Sequence, residues 1–380
     1  MRSIVMRSAT RKRRIGVVAV VAALVLTAAC GGSDSGASGG SDGGGDSSAL
    51  LETAAKNVTS FEKGGEFPAL PAPYDPGTGK VAIIACGLAG PDCKKGAEAA
   101  KEAAEQMGWT GTIFDAQFSP QKGSAFIDQA VQQGYDGVIS ITLPIETMKA
   151  SADSAIAAGL TVSCVACFVA PGFDKVKFVS VDWADQGRQL AWYVIKRSKG
   201  KAKVLVYDAP NQAVNLRVKN FTETLTKECS TCEIADTSII DQSEIGKPGP
   251  PTFAADLAKF PPGTITDITD PFDAIGVPMM KTLKQNGRTD VTVSGYDSTQ
   301  EGIQGILDKS LPVGATVGLP YSYSAYVGVD AVARAKAGAP EYDGTKMPTI
   351  LIDETNAEKY KDGYYTSPDF PQDFLTSWGK

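Results

Sequence analysis

Val81-Ala82-Ile83-Ile84-Ala85 is the stretch from which the fold is read. Five apolar residues without alternation suit a strand buried on both faces of a parallel sheet. Working outward, residues 96–107 are rich in Ala, Glu and Lys and stop at Gly108, which predicts a helix with a glycine C-cap. Strands follow at 112–114, 137–141, 160–163 and 178–181, with helices at 124–133 and 145–158 between them. The alternation restarts with a helix at 187–198 and a strand at 203–207. It continues through helices at 214–227, 254–259, 272–285, 300–309 and 324–337, and strands at 237–240, 264–268, 291–296 and 313–317. Alternating strand and helix predicts the α/β class, and two such runs predict two doubly wound parallel-sheet lobes. The tail from Tyr360 is aromatic and polar without a clear period.

Open parallel sheets bind ligands beyond the carboxyl ends of their strands, where helix N-termini offer free N–H groups. The informative segments are therefore 86–93, 142–144, 164–168 and 182–183 in the first lobe. In the second they are 208–217, 270–273 and 297–299, with 318–321 running back toward the first.

The totals narrow the function. A chain of 380 residues suits two lobes, and 43% apolar with 21% charged residues is a globular balance. The formal charge is -6, and losing an N-terminal signal with six basic and no acidic residues would take it to -12. That argues against nucleic acid as a partner, because phosphates call for clustered Lys and Arg. No histidine is present, so the commonest general base and transition-metal ligand is missing. No catalytic residue, cofactor or metal is expected.

The N-terminus reads as an export signal. Arg2, Arg7, Arg11, Lys12, Arg13 and Arg14 precede an apolar run at 15–26, followed by Thr27-Ala28-Ala29-Cys30. The run is about a dozen residues, too short to span a bilayer of roughly 30 Å. Small residues before a cysteine resemble a bacterial lipoprotein processing site, although Thr27 stands where such sites usually carry Leu. Residues 1–29 are expected to be removed and Cys30 to carry lipid, tethering the protein to the outer face of the cytoplasmic membrane. An ordinary secretory signal with a bystander cysteine is the alternative. Residues 31–48 are almost wholly Gly, Ser and Asp and predict a flexible tether. A short amphipathic helix is expected at 49–63 and an extended lead-in at 67–80.

Without Cys30, six cysteines remain in three close pairs: Cys86 and Cys93, Cys164 and Cys167, Cys229 and Cys232. In an oxidising compartment these read as disulfides, with local pairing favoured among the fifteen arrangements that six cysteines allow. Four thiolates from Cys86, Cys93, Cys164 and Cys167 could instead hold zinc tetrahedrally.

A family resemblance rests on Phe114-Asp115-Ala116-Gln117-Phe118-Ser119-Pro120, Gly134-Tyr135-Asp136-Gly137-Val138-Ile139, Gly295-Tyr296-Asp297-Ser298-Thr299 and Ala315-Thr316-Val317-Gly318-Leu319-Pro320. By their order and spacing, residues 80–352 resemble the type I periplasmic sugar-binding proteins, the group that contains the ribose-binding proteins. The resemblance implies two lobes joined by a three-crossing hinge, which close on a ligand that an ABC importer then carries. It implies lobe one at 80–182 plus 319–347 and lobe two at 183–318 plus 348–380, after a lead-in at 30–79. Arg217, four residues before Phe221, matches the family's ligand-binding arginine, and Asp297 its aspartate. Asp270 falls where ribose binders carry asparagine, and Asp182 and Trp183 fall at the first crossing, where Trp183 would supply a stacking face. Asp92, Phe168 and Tyr321 complete the expected ligand set.

Departures from the family pattern are concentrated in lobe one. Pro91 is followed by Asp92 and Cys93 rather than aromatics, an Asp-Arg pair becomes Ala166-Cys167, and a glutamine of the last crossing becomes Gly318. These changes point away from ribose and toward a polyol, another carbohydrate-like compound or a small cationic polar ligand. Asp297 also suits a helix N-cap, and Asp270-Pro271 a turn.

Three functions follow for comparison. The expected one is a monomeric binding lipoprotein that hands a small polar ligand to ABC permease subunits. The second is a sensor of the same shape docking on a signalling receptor. The third is a thiol–disulfide oxidoreductase using Cys164 and Cys167, disfavoured because residues 168–172 do not read as the helix such a pair needs.

Overall fold

The computed structural model describes residues 44–245, 247–363, 365–367 and 369–380. The expected signal, Cys30 and most of the tether lie outside these residues. The first lobe is built on a five-stranded parallel sheet, order β2-β1-β3-β4-β5: β1 Lys80–Ala85, β2 Thr110–Asp115, β3 Gly137–Ile141, β4 Thr161–Val165 and β5 Lys177–Val179. Every residue of β3 is buried, as is all of β1 after Lys80. Helices cover both faces, which explains apolar runs without alternation. The helices within this stretch are α2 (Pro91–Met107), α3 (Pro120–Gln132) and α4 (Lys149–Ala157). An earlier helix, α1, spans Gly44–Phe61.

The second lobe carries a six-stranded sheet, order β11-β10-β9-β8-β6-β7. Its strands are β6 Lys203–Asp208, β7 Glu233–Ile239, β8 Asp267–Thr269, β9 Thr292–Asp297, β10 Val313–Gly318 and β11 Ile350–Ile352. The helices that follow in sequence are α5 (Trp183–Arg197), α6 (Gln212–Glu228), α7 (Pro251–Lys259), α8 (Asp273–Gln285), α9 (Gln300–Asp308), α10 (Tyr321–Ala337) and α11 (Phe370–Ser377). The sheet is not wholly parallel: β11 pairs antiparallel with β10 at the edge.

Strand order reverses between β1 and β3 in one lobe and between β6 and β8 in the other. These switch points open the crevices in which α/β sheets take ligands. Three crossings join the lobes: Val181 to Trp183, Gly318 to Tyr321, and the return from α10 to β11. The first and third are paired by a Val181–Met347 bridge, with Ser180 N donating to Gly344 O and Met347 N to Ser180 O, both at 2.8 Å.

The chain ends depart from the expected layout. α1 begins inside the Gly/Ser tract, not at residue 49, because Ala54 and Val58 are buried against Leu190 and Val194 of lobe two. Docking of an apolar face outweighs the weak propensity of its first residues. The C-terminal segment 348–380 is divided: β11 joins lobe two, but α11 sends Phe370, Phe374 and Trp378 into the lobe-one core beside Tyr326. The lead-in and the tail therefore run together between the lobes, with Tyr74 N donating to Ser377 O at 2.9 Å and Asn356 Nδ2 to Glu62 O at 3.3 Å.

Disulfides join Cys86 to Cys93, Cys164 to Cys167 and Cys229 to Cys232. The four lobe-one sulfurs are thus spent in two bonds rather than held as a zinc-binding set. No helix follows Cys167 closely, since the next described element is β5. Among the described residues no helix is long and apolar enough to cross a membrane.

Candidate functional site

Strand ends and crossings of both lobes line one cavity of about 120 Å³. An apolar cavity of roughly 150 Å³ takes up benzene, so this space suits a single-ring or short-chain molecule. Lobe one contributes Asp92, the Cys86–Cys93 pair, Phe118 and Thr142 to Pro144. Lobe two contributes Asn211, Val214, Arg217, Phe272 and Asp297, while Trp183 and Tyr321 enter from the crossings.

Arg217 is 3% exposed on the inner face of α6. Its Nε donates to Gln186 Oε1 at 2.8 Å, Nη1 to Pro271 O at 3.1 Å and Nη2 to Asp297 Oδ1 at 2.9 Å. Trp183 and Tyr296 lie against the guanidinium, their ring centroids 4.9 and 4.4 Å from Cζ. Rings and acceptors together fix a planar fork of five donors, three of them engaged.

Asp297 ends β9 in the left-handed region (φ 96°), followed by Ser298 at φ 57°. Two such non-glycine residues in succession are strained, and strain of this kind gathers at functional sites. Ser298 N is held by Thr316 Oγ1 at 3.0 Å. Burial pushes the Asp297 carboxyl up, against the opposing pull of Arg217 and a Tyr321 hydrogen bond. Gly318 leaves no room for a side chain, because a Cβ there would meet Ser298 Oγ at 2.7 Å.

Of the residues expected at the site, Asp92, Trp183, Arg217, Asp297 and Tyr321 meet at the cavity wall. Three do not. Asp182 caps α5, accepting from Asp185 N at 2.8 Å, and pairs with Arg188 on the surface. Phe168 packs between the two lobe-one core clusters. Asp270 lies behind the wall, 1% exposed, wedged where a Cβ on Gly276 or Gly295 would overlap its carboxylate. Burial, then the nearby Asp297 charge, raises its pKa to about 8. Asp273 beside it is also pushed well up by burial, although Thr299 N and Oγ1 both donate to its Oδ2 at 2.7 Å.

Thr142, Asn211 and Phe272 also line the cavity, and each lies in a flagged stretch (142–144, 208–217 and 270–273) without being singled out as a ligand contact. The Asn211 side chain caps α6, its Oδ1 accepting from Ala213 N at 2.8 Å. Gln186 carried no signal at all.

The arrangement can bind and orient a small polar molecule. A family model described as periplasmic binding protein domain matches residues 93–340. No curated protein sequence matches the chain. Among solved structures, a sugar ABC transporter protein from Yersinia enterocolitica subsp. enterocolitica 8081 is 19% identical with a TM-score of 0.67, covering 82% of this chain and 99% of its own. A solute-binding protein from Bacillus halodurans C-125 with bound myo-inositol is 16% identical at TM-score 0.66, covering 76% and 98%. One from Agrobacterium vitis with bound allitol is 19% identical at TM-score 0.62, covering 74% and 97%. These neighbours are described as ABC transporter proteins, two of them solute-binding, and their fold is the one described above. The family comprises substrate-binding transport proteins, not enzymes. With 248 of its residues matched, the chain belongs to the periplasmic binding protein domain family.

Proposed function

We propose that the protein is an extracytoplasmic lipoprotein that captures a sugar or polyol by closure of its two lobes and delivers it to an ABC permease. The observation that carries this reading is Arg217: a buried guanidinium, clamped between two rings and three acceptors, at a cavity shared by both lobes. Its remaining donors suit adjacent hydroxyls, and Asp297 supplies an acceptor beside them. Trp183 and Phe118 offer apolar faces to a ring. The bound myo-inositol and allitol of the structural neighbours fit this chemistry and cavity size. Closure over the cavity supplies contacts from both lobes at once. Lipid attachment at Cys30 would keep the body at the membrane that holds the permease.

A thermal-shift screen against sugars and polyols tests the reading. A ligand at about a hundred times its dissociation constant adds roughly 2.7 kcal/mol of stability. Arg217→Ala and Asp297→Ala are each expected to remove that rise. Two variants that respond as fully as the wild type would show the pocket to be misplaced.

A further inference from the structure

Arg217 belongs to α6, yet two of the groups that fix it stand on α5. What brings the helices together is Gly187. A Cβ there would run into the Arg217 carbonyl and lie 2.9 Å from Phe221 N and 3.0 Å from the Arg217 carbonyl carbon. The two backbones therefore touch at this point, and the residues just before Gly187 are carried over the guanidinium. Trp183 supplies a ring face. Gln186, wholly buried and outside the cavity wall, supplies the acceptor for Nε. Its own Nε2 meets no acceptor among the described residues. A buried amide with one half unmet is costly, so the oxygen is the part that the site uses.

We infer that Gln186 is a positioning residue for ligand capture: its oxygen holds Arg217 Nε and so turns the Nη edge toward Asp297 and the cavity. The inference rests on the reading of Arg217 as a ligand contact. Pro271 O and Asp297 restrain the two Nη groups and leave the Nε–H without an acceptor. Gln186 supplies one. Leucine in its place fills the volume and withdraws the acceptor. Asparagine keeps the amide and shortens its reach. Glutamate keeps the acceptor at the same distance.

The test uses the purified full-length protein with two readouts. One is the hydrogen-exchange rate of the Arg217 Nε–H by NMR, which needs no ligand. The other is the affinity for myo-inositol by calorimetry. A hydrogen bond to a charged group is worth about tenfold or more in an equilibrium constant, so Gln186→Leu and Gln186→Asn should each speed exchange and weaken affinity by about tenfold. Gln186→Glu should keep exchange slow while the volume-filling Gln186→Leu speeds it, a contrast that a mere packing role would not give. Exchange and affinity within about twofold of wild type in both acceptor-removing variants would overturn the inference. If Arg217→Ala itself binds myo-inositol normally, the pocket reading fails first. Where myo-inositol does not bind the wild type, the exchange rates decide.

Discussion

At the residue scale, the site is a contest between burial and charge. Asp270, Asp273 and Asp297 crowd behind or beside one arginine, and burial raises all three carboxyls. Asp270 is the clearest case, with a folded value of about 8 against an unfolded value of about 3.9. A group whose folded pKa is raised gives its full stabilisation below the unfolded value and loses it as pH climbs through the folded one. The wild type should therefore lose melting temperature between about pH 4 and pH 8. Asp270→Asn should flatten that decline and melt higher at the alkaline end, with Asp273 and Asp297 leaving a residual slope. Parallel melting curves for the two proteins would contradict this. Arg217 and Asp297 are legible through the family resemblance, Arg217 by its place four residues before Phe221 and Asp297 by the Gly295-Tyr296 strand end that precedes it. Asp270 was placed on the correct loop but not on the correct side of it, since only the glycines at 276 and 295 draw its carboxylate away from the cavity. Asp182 follows the edge strand β5 and stands at the surface, where it caps α5 and pairs with Arg188.

At the element scale, apolar runs mark ten of the eleven described strands but not β11 at the edge of the second sheet, and boundaries are less legible. α2 starts at Pro91, five residues before the expected helix, because Gly90 provides no capping side chain to mark the start and Pro suits the first helical position. That early start matters for the site. It puts Asp92 and Cys93 in the first turn of α2, and the bond from Cys93 to Cys86 pins that turn to the end of β1. Removing this disulfide by Cys86→Ser with Cys93→Ser should cost about 2 kcal/mol in denaturant melts and also weaken ligand binding, because a loosened wall must be ordered on capture. Cys229→Ser with Cys232→Ser should lower stability alone, since that bond closes the far end of α6. Equal losses of affinity in both double variants would remove the disulfide at the cavity from any part in binding.

At the scale of the whole molecule, two sheets and three crossings were readable from alternation and motif order, but the two chain ends were not. The tail lacks a period because its aromatic residues do not form one face of a long helix. They fill a gap between α2 and α10, where the fully buried Asp330–Arg334 pair of α10 gathers Tyr74, Trp378 and Ser377. Tertiary partners of this kind, more than two hundred residues away along the chain in the case of Tyr74, leave no local pattern. The crossings place the cavity where both lobes contribute walls, and the account depends on a ligand held there by both. The most direct test is a crystal structure with a sugar or polyol that raises the melting temperature. The account predicts that the molecule lies between the lobes, hydrogen-bonded to Arg217 and Asp297 on one side and touching the Asp92 turn on the other. A stabilising ligand bound on one lobe alone, away from Arg217, would contradict it.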